Sequence, residues 1–99
     1  MQPEDVILVE DYCLNYAIDQ SFVFDLEEYG LVELVVADDR KWIPLHQLQV
    51  IEKFSHFYYE LDINIDGIDA ISHLLRKVEM MQEEIWLLKS RLRVYEAGE

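Results

Sequence analysis

Ile71, Leu74, Val78, Met81, Ile85, Leu88, Leu92 and Tyr95 follow one another at intervals of 3, 4, 3, 4, 3, 4 and 3 residues. This is an a/d heptad seam, with β-branched residues at three of its four a positions. A helix from Ile68 to Tyr95 would be about 42 Å long at 1.5 Å per residue. The whole chain has 99 residues, 52% of them hydrophobic, which is one domain with a modest core. Such a core cannot cover so long a stripe, and an uncovered stripe invites aggregation. The first turns are expected to fold back through Leu75, while the distal half needs a second copy. Val78, Met81, Ile85, Leu88, Leu92 and Tyr95 are therefore the expected dimer contacts, in a C-terminal dimerisation helix over 68–99. Glu84 with Lys89 and Arg91 with Glu96 suit a parallel g-to-e pairing, and an antiparallel one stays open.

The preceding residues, 1–67, read as a winged helix-turn-helix. Val6-Ile7-Leu8-Val9 is a short β-type run behind Pro3 and Glu4. Val9, Tyr12, Cys13 and Tyr16 then fall on one face of a helix. Asp19 is suited to cap a second helix with its carboxylate, and Gly30 to end that helix near Tyr29. Leu31 to Val36 and Lys41-Trp42-Ile43 read as a two-stranded wing around the polar turn Ala37 to Arg40. Pro44 would open a third helix running to about Leu61, with Leu45, Leu48, Ile51, Phe54, Phe57, Tyr58 and Leu61 facing the core. Asn64 to Gly67 breaks it, with Asp66 as the expected cap of the last helix. The fold class is mainly α, with a small β-wing and a long coiled-coil helix.

Charge narrows the function. The net charge is −13, and no Lys or Arg occurs from Met1 to Asp39 against eleven acids. All eight basic residues lie at Arg40 or beyond, among ten acids. An anionic surface repels nucleic acid and membrane headgroups and attracts a basic protein surface. On the second helix Asp25 and Glu28 share a face, with Glu27 beside them and Phe24 as a flanking apolar residue. Phe24, Asp25, Glu27 and Glu28 are the expected partner-binding residues, an apolar anchor ringed by acids. Trp86 and Leu87 fall outside the seam, at b and c positions; packing against the globular part of the partner subunit is the first reading of them, and a second binding patch the other.

The residues offer no chemistry for an enzyme. His46, His56 and His73 are 10 and 17 residues apart, so none makes an i, i+4 metal pair. Cys13 is the single cysteine, too few for a disulfide or a Cys-based zinc site. On a buried helix face it reads as a small apolar residue. The three glycines are isolated, so there is no phosphate loop. No cofactor and no metal are expected. No apolar run reaches a membrane span of about 18 residues, and an acidic start is not that of a signal peptide. Those readings fit a reducing cytoplasm.

The order strand, helix-turn-helix with a Gly-Leu ending, wing with Trp42, helix and coiled coil resembles the MerR type of winged helix. Within that group the chain looks most like the CbpM-type chaperone modulators. The likeness rests on Glu10-Asp11-Tyr12-Cys13-Leu14, Gly30-Leu31-Val32-Glu33, Trp42, the segment from Leu61 through Ile68 to Leu75, and Leu88 to Leu92. It implies a non-enzymatic protein that binds the J-domain of a DnaJ/CbpA-like co-chaperone and inhibits its action on the DnaK-type chaperone. DNA-binding MerR proteins typically carry Thr-Leu-Arg-Tyr-Tyr-Glu in the recognition helix. Here the corresponding stretch is Phe22-Val23-Phe24-Asp25-Leu26-Glu27, with Phe24 in place of the arginine. A recognition helix must neutralise phosphates and reach base edges, which this one is not equipped to do. The alternative is a MerR-like transcriptional regulator using its wing, where Arg40 and Lys41 keep a DNA-compatible charge.

Overall fold

The computed structural model describes residues 5–98. Pro3 and Glu4, read as flanking the first strand, lie outside the described residues. The elements run β1 (Val6–Leu8), α1 (Val9–Tyr16), α2 (Gln20–Glu28), β2 (Val35–Ala37), β3 (Arg40–Pro44), a 3-10 turn (Leu45–Gln47), α3 (Leu48–Ser55), a π-helical turn (His56–Glu60) and α4 (Ile65–Ala97). The chain divides after Asp69 into a unit that ends there and a second formed by the helix from Ala70 onward.

In the first unit, Val9, Tyr12 and Cys13 of α1 meet Phe22, Val23 and Leu26 of α2 over Ile51 and Phe54 of α3. Val32, Ile43 and Ile68 close that core. Removing side chains of this size from water contributes roughly 1.5–3 kcal/mol each, so the layer holds the helix-turn-helix in place. Tyr16 departs from the expected buried face of α1 and is exposed. The turn after α1 puts Ala17 in the left-handed region at φ 53°, and the Ile18 N–H bonds back to the Cys13 carbonyl at 3.0 Å. Gly30 ends α2 as expected, at φ 76°. There the Gly30 N–H reaches the Glu27 carbonyl at 2.9 Å and the Leu31 N–H the Leu26 carbonyl at 2.9 Å. These two bonds make a Schellman closure, and Leu31 packs on the core behind it.

The wing has three strands, not two. β3 is central, with β1 and β2 antiparallel on either side. Val6 faces Pro44 and Leu8 faces Trp42 on one edge; Val35 faces Trp42 and Ala37 faces Arg40 on the other. Leu31 to Leu34 stay outside the sheet: the Leu31 N–H is used in the closure of α2, and the Glu33 N–H donates to the Gln47 side-chain carbonyl at 3.0 Å. Asp38 and Asp39 form the hairpin turn, both left-handed at φ 54° and 60°, the type I′ shape whose twist matches the strands. The Trp42 indole N–H donates to the Ala37 carbonyl at 3.0 Å across the hairpin.

Pro44 ends β3 instead of opening a helix, and the expected single helix to Leu61 is three segments. In the π-helical turn the Leu61 N–H bonds the His56 carbonyl, five residues back, at 3.2 Å. That extra residue rotates the chain beyond it, so Leu61 is 53% exposed rather than core-facing. Leu45 and Tyr58 are likewise exposed. The wider turn lets two successive tyrosines reach one ring, Tyr58 at 4.6 Å and Tyr59 at 5.4 Å from Phe22.

Two caps differ from expectation. The Asp19 carboxylate makes no capping bond to α2; the Asp19 N–H instead donates to the Tyr59 hydroxyl at 3.1 Å. At α4 the cap is Asn64, whose Oδ1 accepts the Gly67 N–H at 2.7 Å. Asp66 lies in the first turn and accepts the Tyr29 hydroxyl at 2.6 Å, and this bond raises the Tyr29 pKa. α4 itself is one helix of 33 residues, about 50 Å long.

Candidate partner-binding surface

Phe22, Val23 and Leu26 turn one side of α2 into the core. Helical geometry then fixes the rest: Asp25 and Glu28 are exposed, and Phe24 and Glu27 are half-buried at the boundary. Phe24 packs against the core with part of its ring left open. It lines a cleft of about 470 Å³ with Val9, Glu10, Gln20 and the wing residues Asp39 and Arg40.

Lys41 joins these parts. Strand side chains alternate, so Lys41 shares the face of the buried Ile43 and points toward α2 rather than away. Its ammonium forms an ion pair with the Glu27 carboxylate and lies 5.4 Å from the centre of the Phe24 ring. Both partners are partly exposed, so the ion pair contributes about 0–1 kcal/mol. Its larger effect is on charge. One of the two wing cations that could have met a phosphate is already matched by an acid of α2, while Arg40 stays exposed, and Asp25 and Glu28 remain as the outward charges of that helix. Four expected site residues thus fall into two pairs: Phe24 and Glu27 bound through Lys41, Asp25 and Glu28 facing outward. Sequence reasoning misses the role of Lys41, although counting alternately from Ile43 places it on the helix side.

Val78, Met81, Ile85, Leu88, Leu92 and Tyr95 lie along α4 and are between 46% and 74% exposed. Leu75, expected to fold back, is also exposed, as are Trp86 and Leu87. Cys13 is buried, and burial, with a smaller contribution from Asp19, raises its thiol pKa. A thiol held protonated is a poor nucleophile. Among the described residues no group of three or more His, Cys, Asp or Glu could hold a metal ion. Among them, too, no helix is long and apolar enough to cross a membrane.

Residues 7–90 match the family model described as MerR HTH family regulatory protein. No curated protein and no solved structure matches the chain. The match runs from the first strand through the helix-turn-helix and wing and well into the long helix. The chain therefore belongs to the MerR helix-turn-helix family of regulatory proteins.

Proposed function

We propose that this chain is a non-enzymatic regulator of the CbpM type. It binds the J-domain of a DnaJ/CbpA-like co-chaperone and blocks its stimulation of the DnaK-type chaperone. It acts in the cytoplasm as a homodimer joined through the seam of α4, with 1–67 as the binding module and 68–99 as the dimerisation helix. The observation that carries the reading is the charge of α2. The helix offers no cation, turns Asp25 and Glu28 outward, and neutralises Lys41 of the wing through Glu27. Such a surface opposes a phosphate backbone and favours a basic protein helix. Phe24, half-open beside the acids, supplies the apolar contact that charge alone lacks.

The test is calorimetric titration with the isolated J-domain. Asp25→Lys with Glu28→Lys reverses the outward charges and leaves the Glu27–Lys41 pair intact. Affinity is expected to fall at least tenfold, a loss of about 1.4 kcal/mol, with circular dichroism unchanged. A folded double variant that binds as tightly as the parent would show that α2 is not the contact surface. Absence of binding by the parent chain would remove the chaperone reading and leave the DNA-binding alternative.

A further inference from the structure

The end of α1 and the turn after it face α3 and the π-helical turn across an open groove of about 820 Å³. Its walls carry Tyr12, Tyr16 and Tyr59 together with the carboxylates of Glu52 and Glu60. None of these belongs to the α2 surface described above.

The groove is built, not incidental. Tyr12 is buried, and Tyr16 lies against it with ring centres 4.7 Å apart, so the exposed Tyr16 ring rests on a fixed floor. Tyr59 is held at the other end by three contacts. Its hydroxyl accepts the Asp19 N–H at 3.1 Å, and its ring lies edge-on to Phe22 at 5.4 Å and to Tyr58 at 4.9 Å. The charges are also sorted. Lys53 also lines the groove, but its ammonium is drawn to the Phe54 ring, 5.4 Å from the ring centre, and His56 is engaged with Glu60. Glu52 forms no ion pair among the described residues. It lies near enough to add to the rise of the Tyr12 pKa, after burial and Tyr16.

Tyrosine faces beside carboxylates attract cations through the ring quadrupole and through charge. A net charge of −13 disfavours an anionic ligand in a groove that carries two carboxylates. The volume exceeds what one small cation needs and suits side chains presented together on a helix. We infer that the groove is a docking site for a basic helical segment of a partner protein, which lays an arginine or lysine over Tyr16 and pairs it with Glu52. This rests on the protein-binding reading and adds a contact that reading does not name.

The probe is a synthetic amphipathic helical peptide with arginine and lysine on one face, and a twin with glutamine at those positions. Each is titrated into the full chain while the ring signals of Tyr16 and Tyr59 are followed by NMR. The cationic peptide is expected to move both signals and the twin neither. Glu52→Lys with Glu60→Lys, and separately Tyr16→Ala, are expected to weaken binding at least tenfold. Glu79→Lys with Glu83→Lys on α4 makes the same change of charge at residues that do not line the groove and is expected to weaken it less than twofold. Equal losses in the two charge-reversed variants would reduce the effect to general attraction and overturn the site. So would unmoved tyrosine signals, or spermidine binding as tightly as the peptide. Because the peptide is not a J-domain, failure of the J-domain titration removes the chaperone reading without deciding this result.

Discussion

At the scale of single residues, the backbone is shaped by a few positions in unusual conformations. Ala17, Asp38, Asp39 and Asp62 all have φ near +55°. Three are aspartates, which tolerate the left-handed region through local hydrogen bonding. Ala17 has no such help, and its cost of about 1–2 kcal/mol is offset by sealing the end of α1. Asn64 is the cap that matters most, because it fixes where α4 begins. Asn64→Ala is expected to cost about 1 kcal/mol in urea unfolding, with the family fold retained by circular dichroism. A loss below a few tenths would mean that water replaces the side chain without penalty. Gly67 belongs to the same device: a Cβ there would come within 2.8 Å of Ile63 Cγ2 and 3.1 Å of Asn64 Oδ1. The sequence points to Asp66 as the cap, although Asn64 has the same capping chemistry. The choice is settled by packing, since burying Ile68 with Ile63 and Ile65 against the core makes Ile65 the first helical residue.

Among the elements, legibility tracks the regularity of the repeat. The 3–4 spacing of α4 holds over seven intervals, and the helix is continuous through all of them. The segment from Pro44 to Leu61 departs from expectation for the opposite reason. A stripe counted at 3.6 residues assumes one geometry throughout, while here a 3-10 turn precedes α3 and a π-helical turn comes after it. Each changes the phase, so Leu45 and Leu61 leave the core while Ile51 and Phe54 stay in it. The first strand is visible as a β-branched run, but nothing local tells it to join the wing, because strand pairing is a long-range choice. For α4 the expected outcome is a change of mass. The parent chain should run at about twice 11.8 kDa by light scattering after gel filtration. Ile85→Asp or Leu88→Asp places a charge in the seam and should leave a monomer or an unfolded chain. A folded monomer of the parent at tens of micromolar would rule the seam out as an interface.

For the molecule as a whole, the segregation of charge decides which partners can approach. The cation-free stretch is plain in the sequence, but its effect on α2 depends on a bond that only the folded chain reveals, Lys41 to Glu27. With that cation engaged, Arg40 is left as the outward cation of the wing. Mobility shifts with random duplex at about 50 mM salt, where counterion release most favours binding, should show nothing below the micromolar range. A tight, sequence-selective shift would make the wing a DNA contact. Chemical lifetime is likewise a property of the entire chain. Asp66-Gly67 is the kind of dipeptide that ages readily, by attack of the glycine nitrogen on the aspartyl side chain to give a succinimide and then isoaspartate. Here that nitrogen is bonded to Asn64, and the carboxyl it would attack is held by Tyr29. The cap of the long helix and the Tyr29 contact beside it thus both oppose isomerisation of its first turn in a stored or long-lived molecule.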